Sequence, residues 1–465
     1  MAEPGIGTGV GRGLFAARLT ASLMPLNSTM IAVAVPSIAH QFHHSSATVT
    51  QALVATYLIA AIALQSPGGK LGDRIGHWRV FALGQSAIAL GAILGFFAPT
   101  LAVLATSRVL MATGGALVVP ATVALLRVEL PPEQRGRAFG SFGATMAFAA
   151  ALGPILGGVL VDAFGWEAVF LANVPVLAVS ALLAASVKHA RTPTGTTAFD
   201  WPGSVLLTAG LVLVVLGAQR KDADALPLVI AGAVLLCVFG WWEGRAGDPV
   251  VAFDLFRSLP FTAGTLLIAL QNLVMYALLF ELPLVLENRF DLKARQTGQL
   301  LIFLMVAMVL LSLVAGRLTD RLGPRPLAVA GSVVCLAGIL VMLRSDLHHS
   351  GDVRLPLALL GIGLGLSGPA AQTASLSAID AARSGMAAGV SSTMRYLGGV
   401  AGIALLGRLV DLHGSRSEVL HEHHTVVAVF TGVLVVGLLC AIALPGAARR
   451  VAATPAGKVS VSPEA

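Results

Sequence analysis

The sequence predicts an all-α polytopic membrane protein, and its composition and its apolar segments both indicate this class. Of its 465 residues, 56% are hydrophobic and 11% are charged, and the mean hydropathy is +0.85. A soluble domain of this size has too little interior to bury so much apolar surface. Segments of about 20 mainly apolar residues, long enough to cross a bilayer as helices, recur along nearly the whole chain.

Fourteen such segments are present, and we predict a transmembrane helix over each. They are residues 14–36, 48–68, 79–98, 101–124, 136–161, 167–187, 202–218, 226–244, 261–286, 296–316, 326–343, 355–377, 386–410 and 424–445. One set of alternate links holds more than twice as many Lys and Arg residues as the other, so that set and both termini are predicted to be cytoplasmic. The net charge of +7 is then a topology signal. Cations scattered over short loops do not indicate nucleic-acid binding.

Nothing in the sequence predicts an enzyme, a metal site or a cofactor. The three cysteines fall within predicted helices at no metal-ligand spacing. The Gly-Lys pair Gly69-Lys70 lacks the upstream glycine of a phosphate-binding loop. No nucleophile and base, and no set of metal ligands, is expected at membrane depth.

A charged motif occurs twice, once in each half of the chain. Residues 69–79 are GKLGDRIGHWR, and residues 316–325 are GRLTDRLGPR. Each copy places a carboxylate, several cations and turn-forming glycines between two apolar segments, which predicts a tight charged hairpin at one membrane face. We expect these motifs to act as conformational gates, through Gly69, Gly72, Asp73, Arg74, Gly76, Gly316, Asp320, Arg321 and Gly323.

The repeated motif resembles the signature loop of the major facilitator superfamily, and the helix order resembles its fourteen-helix drug:proton antiporter branch. The resemblance implies two six-helix bundles with an inserted helix pair. The N-terminal bundle would occupy 1–190, the linker with the inserted pair 191–257, the C-terminal bundle 258–445 and a cytoplasmic tail 446–465. It further implies a cell-membrane exporter of drugs or antibiotics that binds substrate between the bundles and is driven by protons.

The fifth segment resembles the antiporter signature of that branch. Residues 153–158 are GPILGG. Pro154 removes a backbone donor, so we expect the helix to bend there. The glycines Gly153, Gly157 and Gly158 would allow a neighbouring helix to approach closely.

Three ionisable residues at predicted membrane depth are candidates for proton coupling or relay. Arg108 and Arg395 match arginine positions of the branch, and the resemblance implies proton relay at Arg108. Glu281 is the one carboxylate found within a predicted span and away from its end loops. A charge at such depth is costly and is a functional hypothesis by default. Alternatives remain open: Arg108 snorkels to the outer face, Glu281 faces water at the mouth, and Arg395 binds an anionic substrate, balances a carboxylate or has a structural role.

Asn27 stands where relatives usually place an aspartate in the first helix. An amide can hydrogen-bond a substrate, but it cannot exchange a proton near neutral pH. Either another group, with Glu281 as the first candidate, couples transport to protons, or the usual coupling is absent.

Polar and methionine side chains near the centres of predicted helices predict a permissive cavity. Methionine adapts its shape, and a few amides and hydroxyls orient a mostly apolar ligand. For any single methionine, ordinary helix packing is the alternative. The candidates are Asn27, Tyr57, Met111, Met146, Gln271, Asn272, Met275, Tyr276, Met305, Met308 and Met394.

Most of the 11 histidines fall in predicted outer links, where we interpret them as solvated loop residues, with a pH sensor or a metal site as the alternative. These are His40, His43, His44, His348, His349, His413, His421, His423 and His424.

The expected function is secondary active export of hydrophobic or amphipathic small molecules, coupled to protons by alternating access. We expect a monomer in the lipid bilayer with no nucleic-acid partner. One alternative is a facilitator or exporter of a metabolite, lipid or siderophore without the usual proton coupling. Another is a membrane receptor derived from a transporter.

Overall fold

A computed structural model describes residues 8–44, 48–49, 51–185, 200–219, 225–247, 249–290, 292, 294–345, 347–380, 383–409 and 416–446. All regular structure in these residues is helical, and a helix lies over each of the fourteen predicted segments. In chain order the helices are α1 (Thr8–Gln41), α2 (Thr56–Ile75), α3 (His77–Phe96), α4 (Leu101–Glu129), α5 (Pro132–Phe164), α6 (Asn173–Ala185), α7 (Trp201–Gln219), α8 (Ala225–Glu243), α9 (Leu259–Phe290), α10 (Ala294–Leu322), α11 (Pro324–Leu343), α12 (Arg354–Ser377), α13 (Ser384–Leu409) and α14 (Arg416–Ile442).

Most of these helices are long and apolar enough to cross a membrane. Within the described residues 10 helices meet that condition, or up to 12 if the bent helices α1 and α5 each count as one span. The apolar part of α7 is shorter. Large apolar side chains such as Leu182, Val205 and Leu439 are exposed, as expected of surfaces that face lipid. The chain is therefore a multi-pass membrane protein.

The helix α5 is bent, as expected of a helix that contains Pro154. Its parts Pro132–Ala150 and Ile155–Phe164 diverge by 41°. Its glycines also pack closely against α1: a Cβ atom added at Gly157 would lie 2.7 Å from the carbonyl oxygen of Met30. The sequence did not predict the second bend, of 46°, in α1.

Most of each charged motif is helical, which corrects the predicted hairpin loop. Helix α2 continues to Ile75 and α10 to Leu322, so the charged residues belong to the last turns of these helices. The chain then turns at a single glycine, Gly76 with φ 98° and Gly323 with φ 85°. A residue with a side chain is strained at such φ values. The two halves of the chain thus use the same one-residue turn.

The helices pack in two groups that meet along two interfaces. Helices α1 to α6 pack among themselves, as do α9 to α14, and α7 and α8 pack against each other with α7 resting on α2. Between the groups, α2 packs against α13, and α5 packs against α10. Each interface therefore joins the second helix of one group to the fifth helix of the other.

Candidate functional site

A cavity of about 220 Å³ lies between the two helix groups. Its walls come from α1, α2 and α5 on one side and from α9, α10, α12 and α13 on the other. Most of the lining is apolar or aromatic. Helices of both groups therefore converge on one cavity.

Eight of the eleven predicted cavity residues lie on this lining: Tyr57, Met146, Gln271, Asn272, Met275, Tyr276, Met305 and Met308. The other three, Asn27, Met111 and Met394, are not part of it. Asn27 is buried, and its Nδ2 donates to Oδ1 of Asn173 at 2.7 Å. Met111 is buried against Gly91.

Sequence reasoning missed several lining residues, among them Phe139, Phe142, Gln372 and Tyr396. Phenylalanines are common in helix interfaces, so nothing in their spacing separates a cavity wall from a packed core. The tyrosines could have identified lining residues, because the chain contains only three of them and all three line the cavity.

Among the described residues the lining contains a single charged side chain, Arg395. Its Nη2 donates to Oε1 of Gln372 at 2.6 Å, and no second hydrogen bond joins its guanidinium to a described residue. A guanidinium has five N–H donors. Most of its hydrogen-bonding capacity is therefore left for a ligand or for water.

Arg108 lies behind the cavity wall, with 1% of its surface exposed. Its Nε donates to the carbonyl oxygen of Leu53 at 3.3 Å, and its Nη2 to that of Asn27 at 3.2 Å. Its guanidinium carbon lies 4.1 Å from the ring centroid of Tyr57, a cation–π contact. The snorkelling alternative is therefore wrong, because neighbouring helices enclose this side chain.

Glu281 and His423 form a buried pair between α9 and α14. Oε1 of Glu281 lies 2.7 Å from Nδ1 of His423, and both residues are fully buried. Two interpretations are corrected: Glu281 does not face water at a mouth, and His423 is not a solvated loop residue. The cause is that α14 begins at Arg416, several residues before the predicted start, so His423 lies on a helix face that packs inward. No group of three or more potential metal ligands occurs in the described part of the chain.

Asp73 and Asp320 make equivalent contacts across the two interfaces between the helix groups. The carboxylate of Asp73 accepts backbone N–H hydrogen bonds from Gly385 at 2.7 Å and Met386 at 2.6 Å, in the first turn of α13. The carboxylate of Asp320 accepts those of Gly136 at 2.7 Å and Arg137 at 2.8 Å, near the beginning of α5. For Asp73 the donors lie at a helix N-terminus, which favours an anion because of its unpaired N–H groups and its dipole; Gly136 and Arg137 lie one turn further into α5. We call these two contacts the aspartate clasps.

Close backbone contacts and one buried arginine accompany the aspartate clasps. A Cβ atom added at Gly140 would lie 2.7 Å from Cα of Gly316, so only glycine permits this separation of α5 and α10. Arg127, at the end of α4, donates to the carbonyl oxygens of Ile379 and Asp380, the latter at 3.0 Å. The two helix groups are therefore held together at the end of the molecule that carries the charged motifs.

An exposed ion pair lies beside the clasp on α13. Arg383 donates to both carboxylate oxygens of Asp254, at 2.6 and 2.9 Å. These hydrogen bonds hold the pKa of Asp254 below its usual range. Because half of the Asp254 side chain is exposed, water screens the pair and its contribution to stability is small.

Comparison with known proteins agrees with this architecture. The profile of the Major Facilitator Superfamily matches residues 19–403. The chain belongs to this superfamily. It is 32% identical over 399 residues to the uncharacterized transporter YvkA of Bacillus subtilis, covering 85% of this chain and 89% of that protein. It is 33% identical over 407 residues to the tetracenomycin C resistance and export protein of Streptomyces glaucescens, covering 85% and 75%.

A solved structure of the proton:xylose symporter XylE superposes with a TM-score of 0.64 at 14% identity, covering 91% of this chain and 94% of XylE. At that identity the similarity shows the fold alone. The family and its neighbours point to a transporter of small molecules rather than an enzyme, and its relatives include drug-export proteins.

Proposed function

We propose that this protein is a secondary active exporter of hydrophobic or amphipathic small molecules that works by alternating access. The observation that carries the proposal is a mostly apolar cavity walled by both helix groups, with an aspartate clasp across each interface at one end. Substrate would bind between the groups and be released as one group rocks against the other.

The cavity volume supports a cycle of this kind. At about 220 Å³ the cavity is smaller than the roughly 300 to 1,000 Å³ of sites for drug-sized ligands. Loading therefore requires the groups to separate at one end. Separation at the charged-motif end breaks both aspartate clasps, so these clasps set the free-energy difference between closed and open states.

For topology, we propose fourteen spans in the cell membrane with both termini cytoplasmic and a monomer as the functional unit. The two bundles would be 1–190 and 258–445, joined by the linker 191–257, with the tail 446–465 on the cytoplasmic side. A helix over each predicted segment and the uneven distribution of Lys and Arg support this arrangement. Residues 447–465 lie outside the described residues.

For coupling, we assign the exchangeable proton to the pair of Glu281 and His423. Both side chains are buried, and a net charge left there by transfer of a proton to or from the pair would be costly in an apolar interior. Exchange is therefore restricted to states in which water reaches α14. Helix α9 connects the pair to the cavity, because Tyr276 and Leu279 on the same helix line it. Arg108 and Arg395 remain the candidates for relay.

The alternative, a facilitator without the usual proton coupling, is favoured by one observation. The amide of Asn27 is engaged with Asn173, and neither group can titrate near neutral pH. If Glu281 and His423 have only a structural role, the described part of the N-terminal helix group offers no carboxylate at membrane depth to replace the missing aspartate.

The experiment is substrate accumulation in inside-out membrane vesicles with an imposed proton gradient. A panel of toxic amphipathic compounds identifies a substrate, and the assay is repeated after the gradient is collapsed. We expect accumulation that depends on the gradient. Glu281→Gln, which keeps the size of the side chain and can still hydrogen-bond His423, should abolish gradient-driven accumulation while still binding substrate.

His423→Gln should have the same effect, and the matched control is Glu422→Gln, which neutralises a carboxylate beside His423 on α14. If substrate only equilibrates across the membrane, at the same rate with and without the proton gradient, the facilitator alternative is correct. If Glu281→Gln keeps gradient-driven accumulation, the assignment of the proton site is wrong.

A further inference from the structure

We propose that the cavity selects planar aromatic molecules that carry a negative charge. The inference rests on the proposed export function and adds to it the chemical class of the substrate. Three features support it: the sign of the charges around the cavity, the unused donors of Arg395, and the aromatic composition of the walls.

The charges next to the cavity are positive. Arg395 lies on the lining, and Arg108 lies directly behind Tyr57, so each helix group contributes one cation. Within the described residues no Asp or Glu side chain lies on the lining, and no carboxylate pairs with either arginine. A cation in an apolar interior attracts an anion strongly, because the surrounding dielectric is low. An organic cation would meet repulsion from both arginines.

Among the described residues, the carboxylates that lie nearest to the cavity along the helices already have other partners. Glu281 follows the lining residue Leu279 by two positions but pairs with His423. Asp73 and Asp320 are held by backbone N–H groups in the clasps. Among the described residues, therefore, no carboxylate is available to balance Arg395 across the cavity, and we assign its counter-charge to the substrate.

The geometry of Arg395 suits a carboxylate, phenolate or enolate. Gln372 fixes one edge of the guanidinium through Nη2 at 2.6 Å. The planar group can then offer its remaining N–H donors in the forked arrangement that binds two acceptor oxygens. Lysine would supply the charge without that geometry.

The walls favour a flat aromatic body. The chain's three tyrosines line the cavity together with Phe139 and Phe142. Tyr57 and Tyr396, from different helix groups, both hydrogen-bond to Met24, through its carbonyl oxygen at 3.0 Å and its sulfur at 3.4 Å. Aromatic rings contribute through offset and edge-to-face contacts with other rings. Methionines around them adapt to different ring systems.

The test compares two dyes that share a xanthene ring and differ in charge: fluorescein, an anion, and rhodamine 123, a cation. Their binding to the purified full-length protein is measured by fluorescence anisotropy, which does not depend on proton coupling. We expect the protein to bind fluorescein at least roughly tenfold more tightly. Arg395→Gln should weaken fluorescein binding by roughly tenfold or more and leave rhodamine 123 binding unchanged or tighter. Arg395→Lys should retain part of the preference.

Arg344→Gln, which removes an exposed arginine at the end of α11, is the control and should match the parent. Tighter binding of rhodamine 123, binding of neither dye, or equal loss of both dyes in Arg395→Gln would overturn the proposal. Accumulation of the dyes in vesicles tests the proposed export function separately from the proposed substrate class. Anion-selective binding without accumulation contradicts export and supports the substrate class; accumulation of rhodamine 123 alone supports export and contradicts the substrate class.

Discussion

Replacing Asp73 with asparagine should shift the protein toward the state that is open at the charged-motif end. The aspartate accepts two backbone N–H hydrogen bonds from the first turn of α13, one at each carboxylate oxygen. Asparagine keeps one acceptor oxygen and presents an amide NH₂ to the second N–H, so one charge-assisted bond is lost and the other becomes neutral. The interaction of the charge with the helix N-terminus is lost as well.

The expected magnitude follows from these losses. A hydrogen bond to a charged group contributes about 1.5 to 3 kcal/mol, a neutral one about 1 kcal/mol, and a charge at a helix N-terminus up to about 1 kcal/mol. With the lower value for each of the two charge-assisted bonds, and with the neutral bond that remains subtracted, Asp73→Asn should destabilise the closed state by about 2 to 3 kcal/mol. That corresponds to a roughly 30- to 150-fold change in the ratio of closed to open protein.

The assay is alkylation of a single cysteine by a membrane-impermeant maleimide. Ser312 lines the cavity on α10, and its carbonyl oxygen lies 2.5 Å from where a Cβ atom on Gly140 would be, so it is close to the closed end. In a protein with its three native cysteines replaced by alanine, Ser312→Cys should react slowly from the charged-motif side. Adding Asp73→Asn should accelerate the reaction by roughly tenfold or more and reduce transport, while the amount of protein in the membrane stays near normal.

Three further variants make the result specific. Asp320→Asn breaks the equivalent clasp and should have a similar effect, and the double variant should exceed either one because the clasps lie on separate interfaces. Asp254→Asn removes an exposed carboxylate near the same end, and in this variant the cysteine at position 312 should be alkylated at the parental rate. If Asp73→Asn is alkylated at the parental rate, the clasp does not control the conformational equilibrium and the reasoning fails.

Three other predictions follow from the same structure. Gly140→Ala should also accelerate alkylation of the cysteine at Ser312, because its methyl group cannot fit between α5 and α10 in the closed state; an unchanged rate would show that the interface relaxes around it. The free energy of unfolding of Asp254→Asn, measured by thermal unfolding at pH 7, should be lower than that of the parent by less than about 1 kcal/mol. The lowered pKa of this carboxyl means that the stabilisation is present above pH about 4 and disappears as the pH falls through the lowered value, so a difference that grows as the pH falls would contradict the assignment. Reporter fusions after Thr196 and Asp222, both outside the described residues, should lie on opposite sides of the membrane. Finding both on one side would contradict the proposal of an inserted helix pair.

The location of the helices could be predicted from the sequence because it depends on properties of short segments. About 20 apolar residues make a spanning helix whatever the helix later packs against. The repeated charged motif also identified two related halves, and the structure places its glycines Gly76 and Gly323 at equivalent turns. Methionine, tyrosine and amide side chains near helix centres identified much of the cavity lining for the same reason: position along a helix sets depth.

The partners of the charged residues could not be predicted. The acceptor role of Asp73 depends on the N–H groups of Gly385 and Met386, and backbone groups leave no pattern in the sequence. His423 lies 142 residues from Glu281, and its pairing depends on where α14 begins.

The sequence by itself therefore determined the class of protein and the positions of the helices along the chain, whereas the tertiary structure decided which residues meet. The physical reason lies in the surroundings of membrane helices. In a soluble protein an apolar stripe marks the face that packs inward. Here apolar side chains suit both lipid and neighbouring helices, so hydropathy does not distinguish one face from the other. Only the rotation and register of packed helices place Arg395 on the cavity and Glu281 against His423.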